Sequence, residues 1–233
     1  MKNIALVFAG GVGSRMKTNI PKQFLQIDGK EILIHTLEIF QNNKNIDEIY
    51  LVCVESWFQF ASELLEKYKI NKVINIIPGG KSGQESIYKG LDSISKNEEN
   101  AIVLIHDGVR PILEKNLIDR NIESVKKYGS SISCAPSKET TVQIDDENMI
   151  EAVIDRSKVW LARAPQCFYL NDILKAHQEA LRNGCNNVID SCSMMRRFSD
   201  KKLHIVETWA ENIKITTPED FYMAEGLISG AKK

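Results

Sequence analysis

No apolar run in this 233-residue chain approaches the roughly 18 residues that a membrane span requires. Neither sign of charge is in excess. Lys and Arg number 30 against 31 Asp and Glu, and the net charge of −1 creates no global field to recruit nucleic acid or an anionic membrane. Neither is therefore expected as a partner, and small anions must be gathered by local clusters. Cysteine is sparse and unpaired: Cys53, Cys134, Cys167, Cys185 and Cys192 are odd in number and form no C-x-x-C pair. That argues against a disulfide framework or a structural zinc site, and each reads as a small buried apolar residue. Internal repeats and low-complexity linkers are lacking too. Met1-Lys2-Asn3 runs directly into an apolar strand, which leaves no room for a signal peptide and makes the cytoplasm the expected location. A hydrophobic content of 43% with 26% charged residues is that of an ordinary soluble globular chain, long enough for a substantial core.

What is present is an alternation of two periods. Ile4–Phe8, Glu48–Val54, Lys72–Ile77, Ala101–His106 and Ser131–Ala135 read as short apolar strands. Ile32–Phe40, Trp57–Tyr68, Gln84–Ser93 and Leu117–Tyr128 read as helices between them. Such alternation predicts an α/β fold, a mostly parallel sheet with helices on both faces. Ligands are then expected at the strands' C-terminal ends. After Pro136 the pattern changes. Thr140–Ile144 and Met149–Ile154, joined by a polar turn, predict a β-arm at about 137–160 projecting from a single domain of residues 1–233. Leu170–Asn183 reads as helix and Leu203–Glu207 as strand, and Thr217 with Pro218 predicts the N-cap and first position of a last helix.

The densest chemical signal follows the first strand: Ala9-Gly10-Gly11-Val12-Gly13-Ser14-Arg15-Met16, then Pro21-Lys22-Gln23. Glycines let backbone N–H groups approach a polyphosphate, and Arg15 and Lys22 add two cations. Two commoner readings fail here. The loop lacks the third glycine of a dinucleotide fingerprint and an acidic residue about 20 positions later. It also lacks the Gly-Lys-Ser/Thr of a P-loop. A tight turn carrying two surface cations remains open on this segment alone. Elsewhere, His106-Asp107-Gly108-Val109-Arg110-Pro111 closes a buried strand with a carboxylate, a glycine and an arginine. Asp107 is a candidate Mg²⁺ ligand through a hard oxygen, or the partner of Arg110 in an ion pair that fixes a turn. Gly79-Gly80-Lys81-Ser82-Gly83-Gln84-Glu85-Ser86 offers small residues and backbone groups that could surround a base, or simply begins a helix. His35, His177 and His204 fall in helix or strand patterns and read as structural or surface residues. His106 reads as orienting the loop. Trp57, Trp160 and Trp209 read as packing residues, with Trp160 a candidate contact of the arm.

Taken in order along nearly the whole chain, these segments resemble the CTP-dependent cytidylyltransferases acting on methylerythritol 4-phosphate and on ribitol 5-phosphate. The likeness continues through Asp155-Arg156, Pro165-Gln166-x-Phe168, Asp190 and Asn212-Ile213-Lys214-Ile215-Thr216. It implies a Rossmann-like fold, a homodimer formed through the arm, and transfer of a cytidylyl group with a divalent cation. Arg15 and Lys22 would be catalytic, stabilising triphosphate charge. Phe8, Ala9, Gly10, Gly11, Gly13, Gly79, Gly80, Lys81, Ser82, Gln84, Ser86, Asp107, Gly108 and Arg110 would bind the nucleotide, with Asp107 also holding the metal. Arg156 and Lys214 would position the acceptor's phosphate, and Thr140 would reach into the partner's site.

Departures from the methylerythritol pattern bear on the acceptor. Glu139-Thr140-Thr141-Val142 stands where that group carries Asp-Thr-x-Lys, and Gly83 stands where an arginine is expected in the base loop. Ala164 and Ile189 replace threonines. Ile32–Thr36, Trp57 with Lys67-Tyr68, and Asn121-Ile122 through Tyr128-Gly129 are similar to the ribitol-phosphate group instead. Lost hydrogen-bonding partners change which hydroxyls can be satisfied. Ribitol 5-phosphate or a relative is therefore favoured over methylerythritol 4-phosphate. Two rivals come from other classes. A non-catalytic nucleotide-binding protein is disfavoured by Arg15, Lys22, Asp107 and Lys214 occurring together. An NAD(P)-dependent reductase is disfavoured by the missing glycine and acid.

Overall fold

The structure, a computed structural model, describes residues 1–10 and 20–230. Among the described residues, β1 (Lys2–Ala9) is followed by a short ribbon, β2 (Gln26–Ile27) and β3 (Lys30–Glu31), and then by α1 (Ile32–Gln41). Alternation continues through β4 (Glu48–Cys53), α2 (Phe58–Lys67), β5 (Val73–Pro78), α3 (Gly83–Ser95), β6 (Ala101–Asp107), α4 (Leu117–Tyr128) and β7 (Ser130–Pro136). The second part comprises β8 (Thr141–Ile144), β9 (Ile150–Ile154), β10 (Trp160–Tyr169), α5 (Leu170–Arg182), α6 (Ser191–Phe198), β11 (Ile205–Glu207) and α7 (Pro218–Gly230).

Seven of these strands form one sheet in the order β11-β7-β10-β6-β1-β4-β5. β1 pairs in parallel with β4 and β6, β4 with β5, and β7 with β11. β10 is antiparallel to both its neighbours, β6 and β7. The sheet is thus mostly parallel, as expected, but sequence reading placed no strand at Trp160–Tyr169. Arg163, Pro165 and Gln166 interrupt the apolar run there, and tertiary pairing on both sides supplies what local pattern does not.

Because both faces are covered, β1 buries every second residue in opposite directions. Ala5, Val7 and Ala9 face α1, α2 and α4 through Leu33, Leu37, Phe40, Leu64, Ile118 and Ile122. Ile4 and Leu6 face α3, α5 and α6 through Ile87, Leu91, Ile173 and Met194. α4 has the bounds the sequence predicts because its end is chemically marked. Gly129 adopts φ 81° and donates its N–H to Val125 O at 2.8 Å, a left-handed cap that a β-carbon would strain. α7 begins as expected, with Asp220 N–H reaching Thr217 Oγ1 at 3.4 Å and Asp220 Oδ2 accepting from the N–H groups of Thr216 and Thr217.

The arm is a separate two-stranded sheet, β8 with β9. Its apolar side chains Val142, Ile144, Ile150 and Val153 are exposed, as are Met149 in the turn and Trp160 at its base. Two expectations need correction. Trp209 is more than half exposed and Trp160 about a third exposed, so neither is a packed residue like Trp57, and Cys185 and Cys192 are only half-buried; Cys53, Cys134 and Cys167 are buried. Trp57 does pack, stacking on Phe24 with ring centroids 5.0 Å apart. No described helix is long and apolar enough to cross a membrane.

Candidate active site

The parallel strands deliver Ala9, Cys53, Pro78 and Asp107 to one edge of the sheet, where loops rich in small residues meet. Gly108 follows Asp107 where no side chain fits: a β-carbon there would lie 2.9 Å from Ala9 Cβ. Its N–H bonds to Phe8 O at 2.9 Å, which fixes the turn against β1. Gly10 and Gly79 approach each other closely, and Ser86 organises the second loop by accepting from Gly80 N–H at 2.9 Å and donating to Ser82 O at 2.8 Å. Ser82 caps α3, accepting from Glu85 N–H at 3.1 Å. The result is a cradle lined by Ala9, Gly10, Lys22, Gly80, Lys81 and Ser86. Lys22 is buried on its own turn and donates to Ile215 O at 2.8 Å, while Gln23 donates to Ala9 O at 2.6 Å. Gly11, Gly13 and Arg15 lie outside the described residues.

Asp107 is the hub beside this cradle. Arg110 Nε donates to its Oδ2 at 2.7 Å, and Lys214 Nζ lies 2.6 Å from its Oδ1. Burial alone would raise the Asp107 pKa, but the charges and hydrogen bonds of Lys214 and Arg110 outweigh it and hold the carboxyl at about 2. Arg110 also donates to Asn212 O at 2.8 Å, and Asn212 donates to Ala164 O at 2.6 Å. Ile215 N–H donates to Val109 O at 3.0 Å. The 212–216 segment is thereby tied across the ends of β6 and β10. His106 supports the same turn: its Nε2 lies 3.1 Å from Arg110 O, and burial pushes its pKa down to about 4.

A cavity of about 270 Å³ opens next to Asp107, lined by Phe8, Arg110, Arg163, Gln166, Asp190 and Lys214 among others. Cradle and cavity share Phe8, Gly83, Asp107 and Lys214. Two polyanion-sized spaces thus meet at one carboxylate flanked by cations. Such an arrangement can bring a triphosphate and a second phosphate together while neutralising both.

Several residues singled out in the sequence do not converge here. Gln84 donates to Cys185 O at 2.7 Å and accepts from Val188 N–H at 2.8 Å, so its amide holds that segment and is not offered to the cradle. Thr140 and Arg156 are exposed on the arm and line neither space of their own chain; Arg156 donates to Lys138 O at 3.2 Å. As a metal ligand Asp107 would have to exchange a cation partner for the ion. Each of its oxygens already meets a cation, and among the described residues no group of three His, Cys, Asp or Glu side chains could hold an ion. The surplus of positive charge around it selects anions.

Sequence reading also left some residues without a role. Gln166 donates to Arg163 O and to Asp190 Oδ2 and accepts from Cys192 N–H at 2.7 Å, while Asp190 caps α6 through Ser193 N–H at 2.8 Å. Both stood in the family-like motifs, which was the available signal. Arg163 had none.

Nearly the whole chain is similar to known cytidylyltransferases. It matches the family IspD, 2-C-methyl-D-erythritol 4-phosphate cytidylyltransferase, over residues 3–229. The chain belongs to that family. Among curated relatives, a ribitol-5-phosphate cytidylyltransferase from Vibrio parahaemolyticus is 49% identical over 228 residues, covering 97% of this chain and 95% of the relative. A 2-C-methyl-D-erythritol 4-phosphate cytidylyltransferase from Clostridium acetobutylicum is 42% identical, covering 97% of each. The crystal structure of a 4-diphosphocytidyl-2C-methyl-D-erythritol synthase from Anaerococcus prevotii superposes with a TM-score of 0.84 at 29% identity, covering 98% of this chain and 99% of that one. The α/β cytidylyltransferase fold expected from the sequence is therefore the one this chain adopts.

Proposed function

We propose that this chain joins CTP to ribitol 5-phosphate or a closely similar polyol phosphate, giving a CDP-polyol and pyrophosphate. The observation carrying the acceptor is the pair of side chains at the cavity wall, Ala164 and Ile189, together with the higher identity to ribitol-phosphate relatives. Apolar groups in place of the threonines expected at a methylerythritol site change which acceptor hydroxyls can be satisfied.

In this reading a phosphate oxygen of the acceptor attacks the α-phosphorus of CTP in line, and pyrophosphate leaves from the cradle. A phosphate monoester is already an anionic nucleophile, so no general base is required. Rate comes from positioning and charge neutralisation. Lys22 and Arg15 stabilise charge on the triphosphate, and the backbone of Gly10, Gly79 and Gly80 with Lys81, Ser82 and Ser86 surrounds the nucleotide. Asp107 fixes Lys214 at the junction, where Lys214 faces the acceptor's phosphate. Magnesium would supply charge neutralisation as the counter-ion of the triphosphate. The exposed apolar residues of the arm fit a second copy of this chain, which would bring Thr140 and Arg156 to the partner's acceptor site. A cytoplasmic location goes with such substrates.

A product screen by mass spectrometry with CTP, Mg²⁺ and a set of polyol phosphates tests the reading. The expected result is a CDP-ribitol mass and the highest kcat/KM with ribitol 5-phosphate. A clear preference for methylerythritol 4-phosphate would overturn the acceptor.

A further inference from the structure

β10 carries an irregularity that places one more cation at the cavity. Its pairing with β7 passes from Ala162↔Cys134 to Gln166↔Ile132, so four steps on β10 face two on β7. Residues 163–165 therefore bulge out of the ladder. Pairing with β6 ends at Gln166↔Ile105, two residues short of Asp107, so the bulge lies just beyond the pairing beside the carboxylate. Backbone contacts hold it there. Gln166 Nε2 donates to Arg163 O at 3.2 Å, and Asn212 Nδ2 donates to Ala164 O at 2.6 Å.

The Arg163 side chain lines the cavity and is half-buried, with its Nε buried and without a partner among the described residues. Among the described residues the Arg163 guanidinium makes no ion pair, whereas nearby Arg110 and Lys214 both engage Asp107. Burial, and then the like charge of Arg110, press the Arg163 pKa down, so the surroundings disfavour this cation. An unpaired, partly desolvated guanidinium is an unfavourable arrangement unless an anion completes it.

We propose that Arg163 is an acceptor-binding residue whose guanidinium pairs with the phosphate monoester of the second substrate. The inference rests on the cytidylyltransferase reading for which substrate that is. It adds a residue of the same protomer to an anion site otherwise composed of Lys214 and the arm. Arg163 also stands immediately before Ala164, so one short bulge sets both the charge and the apolar wall that the acceptor meets.

Calorimetric binding of ribitol 5-phosphate and of methylerythritol 4-phosphate to the wild type, Arg163→Ala and Arg163→Lys is the primary test. Steady-state kinetics and thermal midpoints accompany it. Losing a charge-assisted pair should weaken monoester binding, and raise the acceptor KM, about ten- to a hundredfold in Arg163→Ala. The CTP KM should stay within about twofold, and the thermal midpoint should not fall, because the folded protein loses no partnered group. Arg163→Lys should recover part of the affinity. Unchanged monoester affinity in Arg163→Ala, equal losses for CTP and acceptor with a lowered midpoint, or wild type that binds neither monoester would each overturn the proposal. Wild type that binds a monoester through Arg163 yet releases no pyrophosphate from CTP would instead sink the proposed function alone.

Discussion

Lys214, near the end of the chain, meets Asp107, near its middle, at 2.6 Å, and the two partners differ in burial: the lysine side chain is 42% exposed and the aspartate 9%. The asymmetry separates binding from stability. Lys214→Ala removes a cation that solvent already screens, so it should cost roughly 0–1 kcal/mol of stability. It should nevertheless lower kcat/KM for the acceptor strongly, because positioning at the junction is lost. Asp107→Asn leaves Arg110 buried without its counter-charge and should destabilise by about 3–5 kcal/mol. Chemical denaturation of the two variants checks the contrast. Equal stability losses would contradict this assignment of the pair.

Two buried histidines set the acid limit. Burial pushes both His106 and His177 down to about 4, and each lies below 3% exposure. Below the ordinary histidine pKa of about 6.5 the unfolded chain takes up protons that the folded one refuses. Stability should therefore be level above about pH 6.5 and fall as pH drops toward 4, by about 1.4 kcal/mol per unit for each histidine. Asp107 adds a further loss only at lower pH, between the ordinary carboxylate range and about 2. His177 stacks on Tyr88 with centroids 6.1 Å apart, and among the described residues neither of its ring nitrogens has a partner. His177→Leu should consequently halve the slope of unfolding free energy against pH between 4 and 6.5. An unaltered slope would place the protonation elsewhere.

How much of this was legible beforehand depended on whether the signal was local. β1, α4 and the cap of α7 are marked by apolar runs, Gly129 and Thr217-Pro218, so their places follow from short stretches. The cradle was legible for the same reason, since glycines and Lys22 adjoin strand ends in sequence. β10 was not, because its identity as a strand depends on pairing with β6 and β7 rather than on its own pattern. Gln84 sits in the base loop by sequence, but its amide is engaged by distant partners at 185 and 188 that no local pattern reveals. Arg163 is a lone basic residue whose role comes from a register shift that no composition reveals.

Gly83 offers a gain rather than a loss. It occupies the first position of α3, and a β-carbon there would meet nothing within 4 Å. The position borders both the cradle and the cavity, so a long cation would reach anionic substrate without displacing backbone. Gly83→Arg should lower the KM for CTP several-fold with the fold intact, consistent with about 1.5–3 kcal/mol for a hydrogen bond to a charged group, reduced by solvent exposure. An unchanged KM for CTP in a properly folded variant would mean that the triphosphate and base lie out of reach of this position.

Lys22 gives the most direct test of the chemistry. Its ammonium is held by Ile215 O at 2.8 Å on the far loop, so it is aimed before substrate arrives. A cation positioned in advance acts on charge as it develops and needs no reorganisation at the moment of reaction. Lys22→Ala should lower kcat by about a hundredfold or more, and Arg15→Ala, in the neighbouring segment, should do likewise. Lys22→Arg should not restore full activity, because a planar fork cannot occupy the seat of a compact ammonium. Single-turnover pyrophosphate release separates this loss from weaker binding of CTP. Rates close to wild type in both alanine variants would remove the pair from the chemical step and leave the cradle as a binding site only.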